Sequence, residues 1–436
     1  MKKRKLLTWK TSAKVVKVTA ADKIVELQED SSLFSRMMMV GKSRREVDIK
    51  ETVGQYEFSI VPRSLLAADG TMLHCASKSN LMSILEKLND SRNNRRVAGP
   101  NEDQMKVAIV DGMAEVQSLD KPEGIRNCAQ LAEHFSNRVM QMHTRSNEVR
   151  LIFNRYDLPF FTQSGHQGSK APVYYHITDT THIAKVPVKR LLSHKKTKME
   201  LAICLGKKIK EYAHRSGKQL VVAWGSVCKA THKDVGHLQS NQEEAVTKMI
   251  LHALDTIANG ATQLQIYSPD TDVLVLALRR YPELCENTLF LKPIVETLDP
   301  EKIAALPASH ALSGTDNTGS FSGKGKLLCW KIFAEGDSSI FTALAELAQT
   351  AHPNEEIVAA IEKFVCLPYQ PRTKLMTVKE LRWSLFKKKQ AESDKLPPTQ
   401  AALQQVVILR AYYQLMVWNS DRITNQELPS PQHYGE

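Results

Sequence analysis

Nothing in this sequence pairs its cysteines. The seven, Cys75, Cys128, Cys204, Cys228, Cys285, Cys329 and Cys366, are scattered, odd in number and never in a CxxC spacing. That excludes a disulfide framework and a clustered-thiolate zinc site, and it leaves reduced thiols. Long apolar runs are missing too, since none approaches the roughly 20 residues needed to span a bilayer. The opening MKKRKLLTWK is basic but has no apolar core of the kind a secretory signal carries. No internal repeat, no low-complexity block and no GxxxxGKS/T phosphate loop occur. Membrane and secreted classes are therefore not expected, and an intracellular protein is.

What is there is basic and globular. Of 436 residues, 42% are hydrophobic and 24% charged, enough to bury a large core and too apolar for a disordered chain. Lys and Arg number 59 against 47 Asp and Glu, a net +12, so nucleic acid is the first partner to consider. The charge is uneven. Residues 1–17 hold seven Lys/Arg and no acid, and residues 185–219 hold eleven against two Glu, a net +9. Everything else sums to −4. The first patch, MKKRK, suits a nuclear-targeting or DNA-tethering arm, which favours a nuclear over a cytoplasmic location. The second, with Lys185, Lys189, Arg190, Lys195, Lys196 and Lys198, suits a phosphate-tracking surface, although charge runs are more often solvated helix faces.

Three regions are expected. Residues 1–100 read as a mixed N-terminal region, in which EFSIVPRSLLAADGTML (57–73) suggests a strand, an amphipathic piece and a turn at Asp69-Gly70. The polar stretch 89–103, with Gly99-Pro100, reads as a linker. Over residues 101–365 the short apolar runs VAIV (107–110), LIF (151–153), LVVAW (220–224) and LQIY (264–267) alternate with segments of helical period. That alternation implies an α/β fold with a mostly parallel sheet flanked by helices. Residues 366–436 read as a helical extension. It holds helices over 378–393 and 399–418, Thr399 as a cap after Pro397-Pro398, and aromatic residues Trp383, Tyr412, Tyr413 and Trp418 in a core. A protein partner could dock on these helices.

In an open α/β sheet, sites form just outside the carboxyl ends of the strands. Asp111 follows VAIV, Asp270 and Asp272 follow LQIY in SPDTD, and Asp316 lies in SGTDNTG. Glu243 and Glu244 sit in the first turn of the segment NQEEAVTKMILHAL. Each alone has a plainer role: an Asp after a strand caps a helix, and acids in a first turn complement the helix dipole. Gathered at one edge, they repel one another, a cost that bound divalent cations relieve. Hard oxygen ligands suit Mg²⁺ or Mn²⁺, and a pair of such ions serves phosphodiester hydrolysis. The segment SGTDNTGSFSGKGKLLCWKIF (313–333) adds a glycine-rich turn with Lys324 and Lys326 at a helix N-terminus, suited to a nucleic-acid phosphate. His194 and His310 read as structural; Tyr156, Tyr174 and Tyr175 suit either base stacking or a core.

The order strand-Asp111, Glu243-Glu244, SPDTD and SGTDNTGSFSGKGK resembles the PIN-like nuclease fold in its flap-endonuclease/XPG-type branch. Most of residues 40–436 are similar to a mobile-element-like group of such proteins. The similar stretches include EFSIVPRSLLAADGTM, LIFNRYDLPF, YHITDTTHI, KRLLSHKKTKMELA, ELRWSLFKKKQAESDKLPPTQ and ELPSPQHYG. The resemblance implies a structure-specific, two-metal DNA nuclease with Asp111, Glu244, Asp270, Asp272 and Asp316 as catalytic metal ligands. It further implies an arch-like insertion over 160–219 and a helix-turn-helix-like segment over 313–333. Two positions depart from it. Asn154 stands in LIFNRYD where the family has Asp, and Val246 in EEAV where it has Asp. Asn keeps an oxygen but loses a charge, and Val loses both. A catalytically weakened, nucleic-acid-binding or mobile-element accessory protein is therefore the alternative, and a protein-binding scaffold the third.

Overall fold

The computed structural model describes residues 14–20, 23–29, 48–59, 61–75, 78–90, 104–156, 172–285, 287–288, 291–349, 353–388, 394–430 and 434. The chain divides into two units. One is Met1–Leu81, Ala304–Leu415 and Ser430–Glu436; the other is Met82–Ile303 and Met416–Pro429. The expected linker falls, from residue 91 to 103, outside the described residues.

In the first unit, β1 (Lys14–Ala20) and β2 (Lys23–Glu29) pair antiparallel, a hairpin that the sequence did not suggest. Among the described residues, no strand forms near residue 57. Pro62 has no N–H to give a ladder, and the neighbouring backbone is used otherwise: the Tyr56 carbonyl accepts from Arg382, and the Glu57 carboxylate accepts the Thr399 N–H. The turn is present, with Gly70 at φ +83° and the Thr71 N–H on the Asp69 carboxylate. Arg382, on the helix Val378–Lys387, is buried and also donates to the carbonyls of Val53 and Pro397. Thr399 caps the next helix through the Ala402 N–H, as expected, but the helix widens into a π-turn over Leu403–Ile408 before resuming as Leu409–Trp418. Tyr413 is buried, and so is Trp418, which belongs to the second unit.

The second unit holds a five-stranded sheet. Its strands are β3 (Lys106–Asp111), β4 (Glu148–Ile152), β5 (Gln219–Trp224), β6 (Val227–Ala230) and β7 (Gln263–Tyr267), in the order β6-β5-β4-β3-β7. All four apolar runs read as strands form them, and these four are mutually parallel. The short β6 is antiparallel to β5 and was not foreseen, because its four residues carry little apolar signal.

Both faces of the sheet are covered, which is why its strands read as unbroken apolar runs. Val107, Ala108, Ile109 and Val110 are all fully buried, and a buried Val or Ile side chain contributes about 1.5–3 kcal/mol. Ala108, Val110, Leu151 and Val222 share one core with the helices Cys128–Met142 and Lys195–Arg215. The alternate residues, including Ile109 and its register partner Arg150, face the helix Ala245–Ala258.

Strand order reverses beside β3. The chain steps from β3 to β4 to β5 in one direction, then returns to lay β7 on the other side of β3. The carboxyl ends of β3 and β7 therefore flank a topological switch point, where open α/β sheets leave a crevice.

Candidate metal centre at the sheet edge

Asp111 is the last residue of β3 and caps the following helix, Gly112–Gln117. Its Oδ1 accepts the N–H groups of Met113 and Ala114, both at 3.0 Å, and its Oδ2 accepts the Ser268 hydroxyl at 3.1 Å. The close turn depends on Gly112, since a Cβ there would lie 2.6 Å from the Phe153 ring at the end of β4. Burial pushes the Asp111 carboxyl up from its ordinary value, the Ala114 and Ser268 hydrogen bonds oppose this, and the Asp270 charge adds to it.

β7 leads through Ser268 and Pro269 to Asp270, which caps the helix Thr271–Arg280 by accepting the Asp272 N–H at 3.0 Å. Ser268 ties the two strand ends together, because its oxygen accepts the Asp270 N–H at 3.2 Å while its hydrogen goes to Asp111. Asp272 is buried, and carboxylate oxygens of Asp270 and Asp272 lie within 4.8 Å of each other. Ser268 thereby links Asp111 to Asp270 at the switch point, with Asp272 beside Asp270.

Glu243 and Glu244, expected inside a first helical turn, instead precede it. The helix begins at Ala245 with Glu244 as a cap residue whose side chain makes no cap hydrogen bond. Asn154, just beyond β4, takes over that job: its Oδ1 accepts the Ala245 N–H at 2.6 Å. The Arg155 N–H donates to the Glu243 carbonyl at 2.8 Å, so this edge of β4 is fastened to the start of the helix. Val246 is buried and offers no ligand atom.

Asp316 belongs to the first unit, where it is exposed and paired with Lys78 at 2.9 Å. The tight loop before it depends on Gly314, at φ +102°, where a Cβ would press on Ser320 and Cys75. The expected phosphate-binding residues divide into three kinds. Lys185, Lys189, Arg190 and Lys196 are exposed, and Lys195 is half-buried. Lys198 and Lys324 are also half-buried, and burial holds both ammonium groups below their ordinary value. Lys324 lies 4.7 Å over the Tyr369 ring. Lys326 is a correction: it is only 2% exposed, and its ammonium donates to the His310 carbonyl at 2.6 Å and the Ser313 hydroxyl at 2.8 Å. It serves the interior and has no surface to offer a phosphate. From Lys195 on, the segment expected as an arch-like insertion is a helix covering the sheet, with Leu201, Leu205, Ile209 and Ala213 in the core.

Several residues of this edge escaped the sequence. Ser268 lies inside SPDTD, where the sequence singles out only the aspartates. Lys248 is buried and donates to the Gly225 carbonyl at the β5–β6 turn; nothing in a helical segment marks such a lysine. Tyr156, weighed for base stacking, is 7% exposed with its oxygen 3.4 Å from Asn154 Nδ2. Among the described residues, no helix is long and apolar enough to cross a membrane. In comparisons with known proteins, no family model, no curated protein and no solved structure matches this chain.

Proposed function

We propose that the protein is a Mg²⁺- or Mn²⁺-dependent nuclease that hydrolyses phosphodiester bonds in DNA at the β3–β7 edge. The observation that carries this reading is the pair Asp270 and Asp272 at the end of β7, linked through Ser268 to Asp111 at the end of β3, where the strand order reverses. Asp270 and Asp272 offer carboxylate oxygens within 4.8 Å of each other, and carboxylate oxygens are the donor chemistry that Mg²⁺ and Mn²⁺ select. A bound ion supplies charge neutralisation at the phosphoryl group and makes water more acidic. The chain's own part is preorganisation: both caps fix their carboxylates on rigid helix starts, and Ser268 sets their separation. The exposed cations Lys185, Lys189, Arg190 and Lys196 would steady the strand.

The test uses full-length protein with flap, fork and single-stranded DNA, and matching RNA, in Mn²⁺. Cleavage is expected, and Asp270→Ala should lower it by at least about 100-fold, the scale of losing one preorganised charge-stabilising group. No cleavage of any substrate, or cleavage that Asp270→Ala leaves unchanged, overturns the proposal. Val246 and the committed oxygen of Asn154 favour one second reading, a metal-independent nucleic-acid binder. Salt-sensitive DNA binding without metal and without cutting would select it.

A further inference from the structure

We infer that Tyr156 is a hydrogen-bond donor to a phosphoryl oxygen held at the sheet edge, and that Asn154 sets the direction of that donation. The inference rests on the phosphodiester reading and names the group that would grip the substrate's phosphate.

Start from Asn154. A backbone amide can only donate, so the side-chain atom receiving the Ala245 N–H at 2.6 Å is the carboxamide oxygen. The other end is then the NH₂ group, 3.4 Å from the Tyr156 oxygen, and it too can only donate. The phenol oxygen is therefore the acceptor, and its own hydrogen must go elsewhere. Among the described residues no acceptor takes it: Asp111 receives Met113, Ala114 and Ser268, and not Tyr156.

A buried hydroxyl with an uncommitted hydrogen is uncommon, because buried polar groups normally find partners. Burial, opposed by the Asn154 hydrogen bond and reinforced by the Asp111 charge, raises the phenol well above its ordinary value, so it stays a neutral donor. A neutral donor that feels the Asp111 charge suits an anionic oxygen that arrives with its own counter-cation. It adds no charge to compete with the metal.

This gives Asn154 a different meaning from a lost ligand. An aspartate at 154 could still cap Ala245, but it has no hydrogen to give Tyr156. The phenol would turn its hydrogen onto the new carboxylate and away from the substrate. Asn154→Asp should therefore impair phosphate binding even if it improves metal binding.

The experiment titrates full-length protein with Mn²⁺ alone, followed by electron paramagnetic resonance, and with inorganic phosphate at saturating Mn²⁺, followed by calorimetry. Tyr156→Phe keeps the ring and should weaken phosphate about tenfold, the value of one hydrogen bond to a charged group, with Mn²⁺ affinity within about twofold of wild type. Asn154→Asp should weaken phosphate comparably while holding or tightening Mn²⁺. The inference is overturned if Tyr156→Phe binds phosphate like wild type, if Asn154→Asp does, or if wild type binds Mn²⁺ but no phosphate. If DNA is cut in an Asp270-dependent way and Tyr156→Phe changes nothing, the inference falls and the nuclease reading stands. If nothing is cut, yet Tyr156→Phe still costs phosphate affinity, the nuclease reading falls and the donor role stands.

Discussion

Two groups of carboxylates lie on the same five-stranded sheet and have been treated in opposite ways. At the start of β4, Glu148 is fully buried and accepts from Arg150 at 2.6 Å, Lys233 at 2.6 Å and His232 at 2.9 Å. Arg150, also fully buried, reaches Asp255 at 2.7 Å, which His237 meets from the other side at 2.7 Å. Burial alone would raise both acids, but Arg150 and Lys233 outweigh it for Glu148, and His237 and Arg150 do so for Asp255, so both sit below their ordinary values. At the far ends of β3 and β7, Asp111 is answered by amides and a hydroxyl and sits above its ordinary value. The chain neutralises Glu148 and Asp255 with its own cations and answers Asp111 with neutral donors.

The sharpest way to break this contrast is Arg150→Met. It strands Glu148 as a buried uncompensated charge, and the unfolding free energy should fall by about 3–5 kcal/mol in urea titration. A loss under about 1 kcal/mol would mean that the network is not structural. Next comes metal. Mn²⁺ at one hundred times its dissociation constant should stabilise wild type by about 2.7 kcal/mol. The Asp272→Asn variant, held at the same concentration, should gain almost nothing, while Glu148→Gln should keep the metal effect despite its lower baseline. A metal effect that follows Glu148 rather than Asp272 would reverse the assignment.

The smallest expected effect is Asp111→Asn. Asn caps as well as Asp, and the charge removed is one that burial disfavours, so stability without metal should change by less than about 1 kcal/mol, upward if at all. Its pH dependence carries the sign. A carboxyl raised by folding binds its proton more tightly in the folded state, so its destabilising charge appears as pH climbs through the folded value and disappears below the ordinary 3.8. The advantage of Asp111→Asn over wild type should therefore shrink on acidification. For Glu148 and Asp255, lowered by folding, the stabilisation is complete above their ordinary 4.5 and 3.8 and is lost as pH falls through the folded values. Acid-induced unfolding of Glu148→Gln should accordingly be shallower than that of wild type.

Legibility tracked locality. The runs VAIV, LIF, LVVAW and LQIY announced four parallel strands because a sheet covered on both faces needs continuous apolar stretches, and a carboxylate at a strand end is visible as the next polar letter. Asp111, Asp270 and Asp272 were found that way. Thr399 as a cap and the turn at Asp69-Gly70 depend on a few neighbouring residues, and they too could be read. The misses are contacts between distant segments. Lys326 looked like a surface lysine in a glycine-rich turn because His310 and Ser313, thirteen or more residues earlier, are what bury it. The helix Ala245–Ala258 starts one residue after Glu244 because Asn154, on another strand end, supplies the cap. Glu148 and Arg150 lie outside the apolar run LIF that marks the strand, and only the packing of Asp255, His232 and Lys233 makes them interior.

The pairing of β3 with β7 also has a consequence for the newborn chain. Val110 must find Tyr267, whereas β3, β4 and β5 can associate as soon as residue 224 is available. Closing so long a loop adds entropy cost only logarithmically, but synthesis at about 5–20 residues per second imposes a wait of several seconds. During that wait one edge of β3 is an open, fully apolar template of the kind that recruits other chains. Asp111 stands at the end of that edge, and Asp270 arrives only with the strand that covers it. Bringing Asp270 to Asp111 and covering the open edge of β3 are thus one event.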